Sequence, residues 1–245
     1  MFIGLGSVIN AATIIIGSTM GVFFGSKLNE KIRELIMSVL GLITACAAAD
    51  MLKHLWDSDF RASLPKGWPL IAVLLSLIIG GIMGSMAKVE DRLENFGERL
   101  RKIFSQSSDS RFIEGFVTSS LIFVVGPMAI LGGISDGMKT GIQTLVLKSV
   151  LDGIAAMAFA ASLGWGVAAS SIPTTIYQLG WTAIGFILGN ILAPYQITAI
   201  TVTGGILIMC ISLRLLRVKQ IPIGNLLPAL FVAPLLVQAL HHFVS

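Results

Sequence analysis

The stretch GIAAMAFAASLGWGVAASSIPTTIYQLGWTAIGFILGNILAPYQITAITVTGGILIMCISL, Gly153 to Leu213, contains no Asp, Glu, Lys or Arg. A helix needs about 20 apolar residues to cross roughly 30 Å of hydrocarbon. Pro173 and Pro194 punctuate the run, which predicts one span over 174–193 and another over 196–213. Outward from it, apolar segments at 1–26, about 32–52, 67–87, 115–135, about 140–165 and about 220–240 bring the expectation to about eight transmembrane helices. The predicted fold class is all-α, a polytopic helical membrane protein.

Composition agrees. Of the 245 residues 55% are hydrophobic and 12% charged, against about 25% charged in a soluble domain. An ordinary cytosolic enzyme, a disordered chain and a nucleic-acid-binding domain are excluded on that ground. Cys46 and Cys210 both lie in apolar runs, so neither a disulfide framework nor a CxxC metal site is expected. Segment 1–26 has no basic stretch before it and is too long for the apolar part of a cleaved signal peptide.

Lys and Arg in short loops mark the cytoplasmic side. With the N-terminus outside, Lys27, Lys31, Arg33, Lys88, Arg92, Arg99, Arg101, Lys102, Arg111, Arg214, Arg217 and Lys219 lie inside. Only Lys53, Arg61, Lys66 and Lys139 lie outside, so both termini are expected outside. Between the third and fourth spans, VEDRLENFGERLRKIF (Val89 to Phe104) places Val89, Leu93, Phe96, Leu100 and Ile103 on one face of a charged helix. Two readings stand for this cytoplasmic segment, 89–110: a solvated connector resting its apolar stripe on the bilayer, or a partner-binding helix.

Small residues recur at a spacing of four in GSTMG (Gly17 to Gly21), GGIMG (Gly80 to Gly84) and GFILG (Gly185 to Gly189). Such faces let another backbone approach closely, and they suggest a homodimer beside plain packing within the chain. Setting Gly17 and Gly21 against Gly185 and Gly189 also aligns Asn10 with Gln178. LGLITAC (Leu40 to Cys46) then loosely matches GGILIMC (Gly204 to Cys210), and LPKGWPL (Leu64 to Leu70) matches IPIGNLL (Ile221 to Leu227). The first three spans thus resemble the last three, in order. The offset of five helices is odd, so the copies would run through the membrane in opposite directions. The expected organisation is one transmembrane domain: repeat unit one at 1–88, a central broken pair at 111–166, and an inverted unit two at 174–245. Inverted three-helix repeats suit alternating access; similarity between greasy helices is the competing explanation.

Charge inside a span costs about 2.5 to 3.5 kcal/mol on insertion scales and needs a reason. Lys148 and Asp152 lie well inside the fifth span and, four apart, share a helix face with Thr144. They form either a structural pair that orders the bundle or part of an ion or substrate pathway. The fourth span carries a break at Gly126-Pro127, and the eighth carries Pro228 and Pro234. Backbone freed at such breaks is tolerated at membrane depth only against protein or a wet cavity. Ser119, Ser120, Gln143, Asn10 and Gln178 supply further polar atoms in or near neighbouring spans. His54, His241 and His242 sit near span ends, and HExxH, P-loop and Ser-His patterns are missing, so an enzyme is not expected. Asp136-Gly137 and Asp152-Gly153 faintly suggest an aspartyl dyad, but Asp136 falls at a span end.

GPMAILGGISDG (Gly126 to Gly137), LKSVLDG (Leu147 to Gly153) and NLLPALFVAPLL (Asn225 to Leu236) resemble an uncharacterised bacterial multi-pass membrane family, a domain of unknown function with YqgA-like and YdfK-like members. The resemblance covers essentially the whole chain. It implies a helical integral-membrane fold in the bacterial cytoplasmic membrane, and it carries no substrate or site assignment. Gly133 stands where a serine is expected, which alters no proposed role.

The sequence therefore points to a secondary transporter or channel for a small solute or ion, open to proton or sodium coupling. Its site would comprise Asp152, Lys148, Thr144, Gln143, Gly126, Pro127, Ser119, Ser120, Asn10 and Gln178. The bilayer, a small solute and a second copy are its expected partners; no cofactor, metal or nucleic acid is expected. The alternative is a non-transporting membrane scaffold with a structural Lys148–Asp152 pair.

Overall fold

The structure, a computed structural model, describes residues 2–26, 29–104, 110–125, 127–189 and 192–242, apart from the side chains of 33, 104, 110, 127 and 188. The described residues are helical, with no strand. In chain order the helices are α1 (Leu5–Gly25), α2 (Glu30–Leu52), α3 (Ser58–Ala62), α4 (Trp68–Met86), α5 (Val89–Phe104), α6 (Ser110–Val124), α7 (Pro127–Gly137), α8 (Gln143–Leu163), α9 (Gly166–Ala169), α10 (Ser171–Leu188), α11 (Pro194–Leu215) and α12 (Ala229–His242).

Among the described residues six segments are long and apolar enough to cross a membrane: α1, α2 with its 3-10 extension, α4, α8, α11, and the stretch from Ile223 through α12. Arg111–Val124 and Met128–Gly137 meet at a 64° bend, and counting them as one broken span gives seven, the lower edge of the sequence count. The helix that falls short is α10, where Thr174, Thr175, Tyr177, Gln178 and Thr182 dilute the apolar run. Pro173 does not precede α10 but sits in its first turn, where its missing N–H costs no helical bond. Pro194 is the first residue of α11, as that same rule favours.

The chain forms two compact units. Unit 1 comprises residues 1–40, 93–124 and 128–191. Its centre is the pair α1 and α8, which run parallel: Gly17 meets Gly153, Gly21 meets Met157 and Gly25 meets Ala161. A Cβ built on Gly17 would lie 2.1 Å from the Gly153 carbonyl oxygen, so only glycine permits this approach. Helix α8 turns Leu147, Val150, Leu151 and Ile154 outward and keeps Leu145, Lys148, Ser149, Asp152 and Ala156 inside. Large apolar residues outside and polar ones inside suit a helix with one face to lipid. Helix α10 runs antiparallel to α1: Gly4 approaches Leu179, while Ile15 shares a cavity wall with Ser171 and Ile172.

In unit 1 the C-terminal part of α5 lays Gly97 against Phe116 of α6, and the Phe96 ring meets Phe116 edge-on at 5.9 Å. Leu100 is buried and Ile103 stays exposed. The apolar stripe is thus shared between its own neighbour α6 and the outside, rather than left wholly to the bilayer.

Unit 2 comprises residues 41–92, 125–127 and 192–245. Helices α4 and α12 run antiparallel, Gly80 against Ala229 and Gly84 against Asn225. The C-terminal half of α2 and α11 are antiparallel too. Ser212 Oγ donates to the Gly41 carbonyl at 2.7 Å. Gly41 abuts Leu215 and Leu216, while Gly205 abuts Met51 and Leu52. These contacts are reciprocal: Gly41 and Gly205, Met51 and Leu215, and Leu52 and Leu216 are each 164 residues apart.

Of the three small-residue pairs the third is corrected. Gly185 packs on Ile134, but Gly189 meets nothing within 4 Å among the described residues and ends α10 with φ +74. It ends the helix with a positive φ and an extended ψ of −155, a combination reserved almost wholly for glycine, and is not a packing residue. Gly17, Gly21, Gly80, Gly84 and Gly185 all pack within the chain, so the homodimer drawn from them loses that support.

Candidate functional site

Helix α8 begins three residues later than the sequence suggested, which places Asp152 about 14 Å along it, near its middle. Helical side chains lean toward the N-terminus, and Asp152 and Lys148 close on each other accordingly. Lys148 Nζ donates to Asp152 Oδ1 at 2.8 Å and to Oδ2 at 2.7 Å. From α1, Asn10 Nδ2 donates to Asp152 Oδ2 at 3.0 Å. The backbone contact of Gly17 with Gly153, immediately after Asp152, sets α1 close enough for that bond. Lys148 and Asp152 are each 7% exposed. The pair is neutral as a unit and enclosed. It needs its hydrogen bonds, because burying two charges costs more than their attraction returns unless the geometry is good.

The other expected residues divide. Gln178 of α10 is fully buried, and neither end of its amide has a hydrogen-bond partner among the described residues. The same holds for Ser119 Oγ of α6 and Oδ1 of Asn10. Ser120 Oγ instead donates to the carbonyl of Phe116 in its own helix, at 2.6 Å. Gln143 is exposed as the first residue of α8, and Thr144 is half-buried. Neither is brought to the pair. Gly126 and the side chain of Pro127 lie outside the described residues, so their part in the expected site is left where the sequence put it.

Sequence reasoning missed two carboxylates. Asp136, set aside as a span-end residue, is 3% exposed and caps α1 from α7. It accepts from Gly4 N at 3.2 Å and from Gly6 N at 3.0 Å, satisfying N–H groups a helix start leaves open. Asp136 also lines a cavity of about 180 Å³ with Phe2, Ile3, Lys139, Gly141 and Ile142. In unit 2, Glu90 looked like one charge on a solvated helix but is buried. Its carboxylate takes Arg214 Nη1 at 2.8 Å and the amide of Gly224, and its own N–H donates to Asn225 Oδ1 at 3.0 Å. The motif IPIGNLL held the signal for this: Gly224 and Asn225 are its polar centre.

A larger cavity of about 370 Å³ in unit 1 has Ile15, Phe112, Trp165 and Ile172 in its wall and suits hydrocarbon better than a solute. Neither cavity is lined by Asp152 or Lys148.

The name of one relative agrees with the membrane reading. The chain is 27% identical over 239 residues to "Uncharacterized membrane protein YdfK" of Bacillus subtilis (strain 168), covering 97% of each chain. It is 28% identical over 233 residues to "Uncharacterized protein YqgA" of Escherichia coli (strain K12), covering 94% of each. No solved structure matches. A family profile described as "Protein of unknown function (DUF554)" matches residues 5–238, and the chain belongs to that family.

Proposed function

We propose that the chain is not an enzyme but a secondary transporter or channel for a small solute or ion in the bacterial cytoplasmic membrane, with both termini outside. The observation that carries this is the Asn10–Asp152–Lys148 cluster halfway along an apolar helix, with the second atom of the Asn10 amide unpartnered. Each buried polar atom without a partner costs about 1 to 3 kcal/mol. A chain that keeps Asn10 Oδ1, both amide atoms of Gln178 and Ser119 Oγ in that condition gains something by it. Binding a polar solute among them is such a gain, since intramembrane polar groups mark solute paths.

The reading includes an inverted duplication. The reciprocal contacts of Gly41 and Gly205 are the pattern a two-fold relation produces. The antiparallel pairs α1 with α10, α2 with α11 and α4 with α12 run as opposed copies require. Opposed copies can present one site to either side in turn.

A specific observation favours the scaffold reading: the ion pair is enclosed, and Asp152 makes three hydrogen bonds in this state. The test is flux in proteoliposomes, screened over sodium, potassium, protons, amino acids and dicarboxylates. Flux that Asp152→Asn abolishes, in protein that still purifies as one species, supports transport. Asn10→Cys in a Cys46→Ser/Cys210→Ser background adds a second readout. Labelling by a water-soluble methanethiosulfonate cation supports a wet path. No flux together with an unreactive Cys at position 10 makes the pair structural.

A further inference from the structure

Two buried carboxylates bracket a single turn of α1. Asp136 accepts from the amides of Gly4 and Gly6, and Asp152 accepts from the side chain of Asn10. Gly6 and Asn10 are about 6 Å apart along the axis. On the same buried face stand Ser7 Oγ and Asn10 Oδ1, fully enclosed and without hydrogen-bond partners among the described residues. The Asn10 amide cannot be turned over, because its oxygen would then face the Asp152 carboxylate. Its unpartnered atom is therefore an acceptor. A hydroxyl oxygen, an amide oxygen and two carboxylates are the ligand types that hard cations take.

Charge points the same way. Lys148 is engaged by Asp152, and Asp136 has no ion pair among the described residues. The N-terminus of α1 offsets about half a unit of its charge. Lys139 is exposed at the cavity that Asp136 lines and can keep its ammonium in water. What remains is a residual negative charge of about half a unit beside the cavity, which a monovalent ion overshoots by about half a unit and a divalent ion by about one and a half.

We infer that this turn of α1 is the access route of a small monovalent cation. The ion enters at the Asp136 cavity, passes Ser7 Oγ and Asn10 Oδ1, and competes with the Lys148 ammonium for Asp152. The inference rests on the reading of Asp152 as the inner site and adds the substrate class, the outer carboxylate and the path.

The experiment measures binding of radioactive sodium to the full-length protein in nanodiscs, with unlabelled sodium, potassium and calcium as competitors. Saturable binding is expected, about tenfold weaker in Asp136→Asn and about threefold weaker in Ser7→Ala. Asp136→Asn also weakens the cap of α1; if it does not fold, Ser7→Ala, which leaves the cap intact, decides alone. Absence of saturable binding in the wild type, or undiminished binding in a folded variant, overturns the route. Displacement by calcium at equimolar concentration overturns the monovalent assignment. Flux that needs Asp152 beside sodium binding indifferent to Asp136 and Ser7 removes the route and leaves the transport reading standing. Binding that needs Asp136 with no flux of any kind supports the cation site and removes transport.

Discussion

Gly17 of α1 touches the backbone of Gly153 of α8 with no side chain between them, a virtual Cβ on Gly17 falling 2.1 Å from the Gly153 carbonyl oxygen. Asp152 precedes that carbonyl, so the contact that joins the helices also sets the distance from Asn10 to the carboxylate. Gly17→Ala should destabilise by about 1 to 3 kcal/mol through overpacking, and Gly17→Leu should prevent assembly of unit 1. Retention of monodisperse protein after graded heating in detergent checks both; a Gly17→Leu protein as stable as wild type is incompatible with this packing.

Removing one member of a buried ion pair strands the other. Lys148→Met should cost about 3 to 5 kcal/mol, whereas Lys148→Met/Asp152→Leu should regain most of the loss. The expected ordering in thermal stability is wild type first, the double variant short of it by the stranded Asn10 amide, and the single variant well below both.

Arg214 and Glu90 give the parallel test in unit 2. Arg214→Met leaves the Glu90 carboxylate with only the Gly224 amide as donor among the described residues. Its expected cost is about 3 to 5 kcal/mol. Glu90→Gln, which keeps an acceptor for Gly224, should cost less. Hydrogen exchange at Gly224 should rise more in Arg214→Met than in Glu90→Gln.

The two glycines of GFILG should part company. Gly185→Ala places a methyl 2.4 Å from the Ile134 carbonyl oxygen and should destabilise strongly. Gly189→Ala meets no neighbour within 4 Å among the described residues and pays only for its backbone conformation, about 1 to 3 kcal/mol. Gly189→Asn should cost as much, since ψ −155 lies outside the left-handed helical region that asparagine tolerates.

Helix positions were legible because each apolar run is bounded by charge, glycine or proline, and their ends fell within a few residues of expectation. Lys148 and Asp152 were legible as a pair because i,i+4 spacing is local. Asn10 was named among the polar atoms, but its tie to Asp152 joins residues 142 positions apart, which no local pattern encodes. Asp136 was misjudged for the same reason, since its partners Gly4 and Gly6 lie about half the chain away. Glu90 was hidden by its company: on a helix rich in Glu and Arg, one buried carboxylate looks like the rest. Gln143 and Thr144 lie in the opening turn of α8, a turn before Lys148, because the helix starts at Gln143.

Helices joined backbone to backbone at every fourth residue do not slide by fractions of a turn, since any residue other than glycine arriving at a contact point is blocked. The smallest shift of α1 along α8 that returns a glycine to a contact point is four residues, about 6 Å. One step that carried Gly21 into the place of Gly17 would bring Ile14 to where Asn10 now stands. The carboxylate would trade an amide for a hydrocarbon, and Asn29 would arrive at the blocked contact that Gly25 makes with Ala161, so the missing side chains hold α1 in the one register that keeps Asn10 on Asp152.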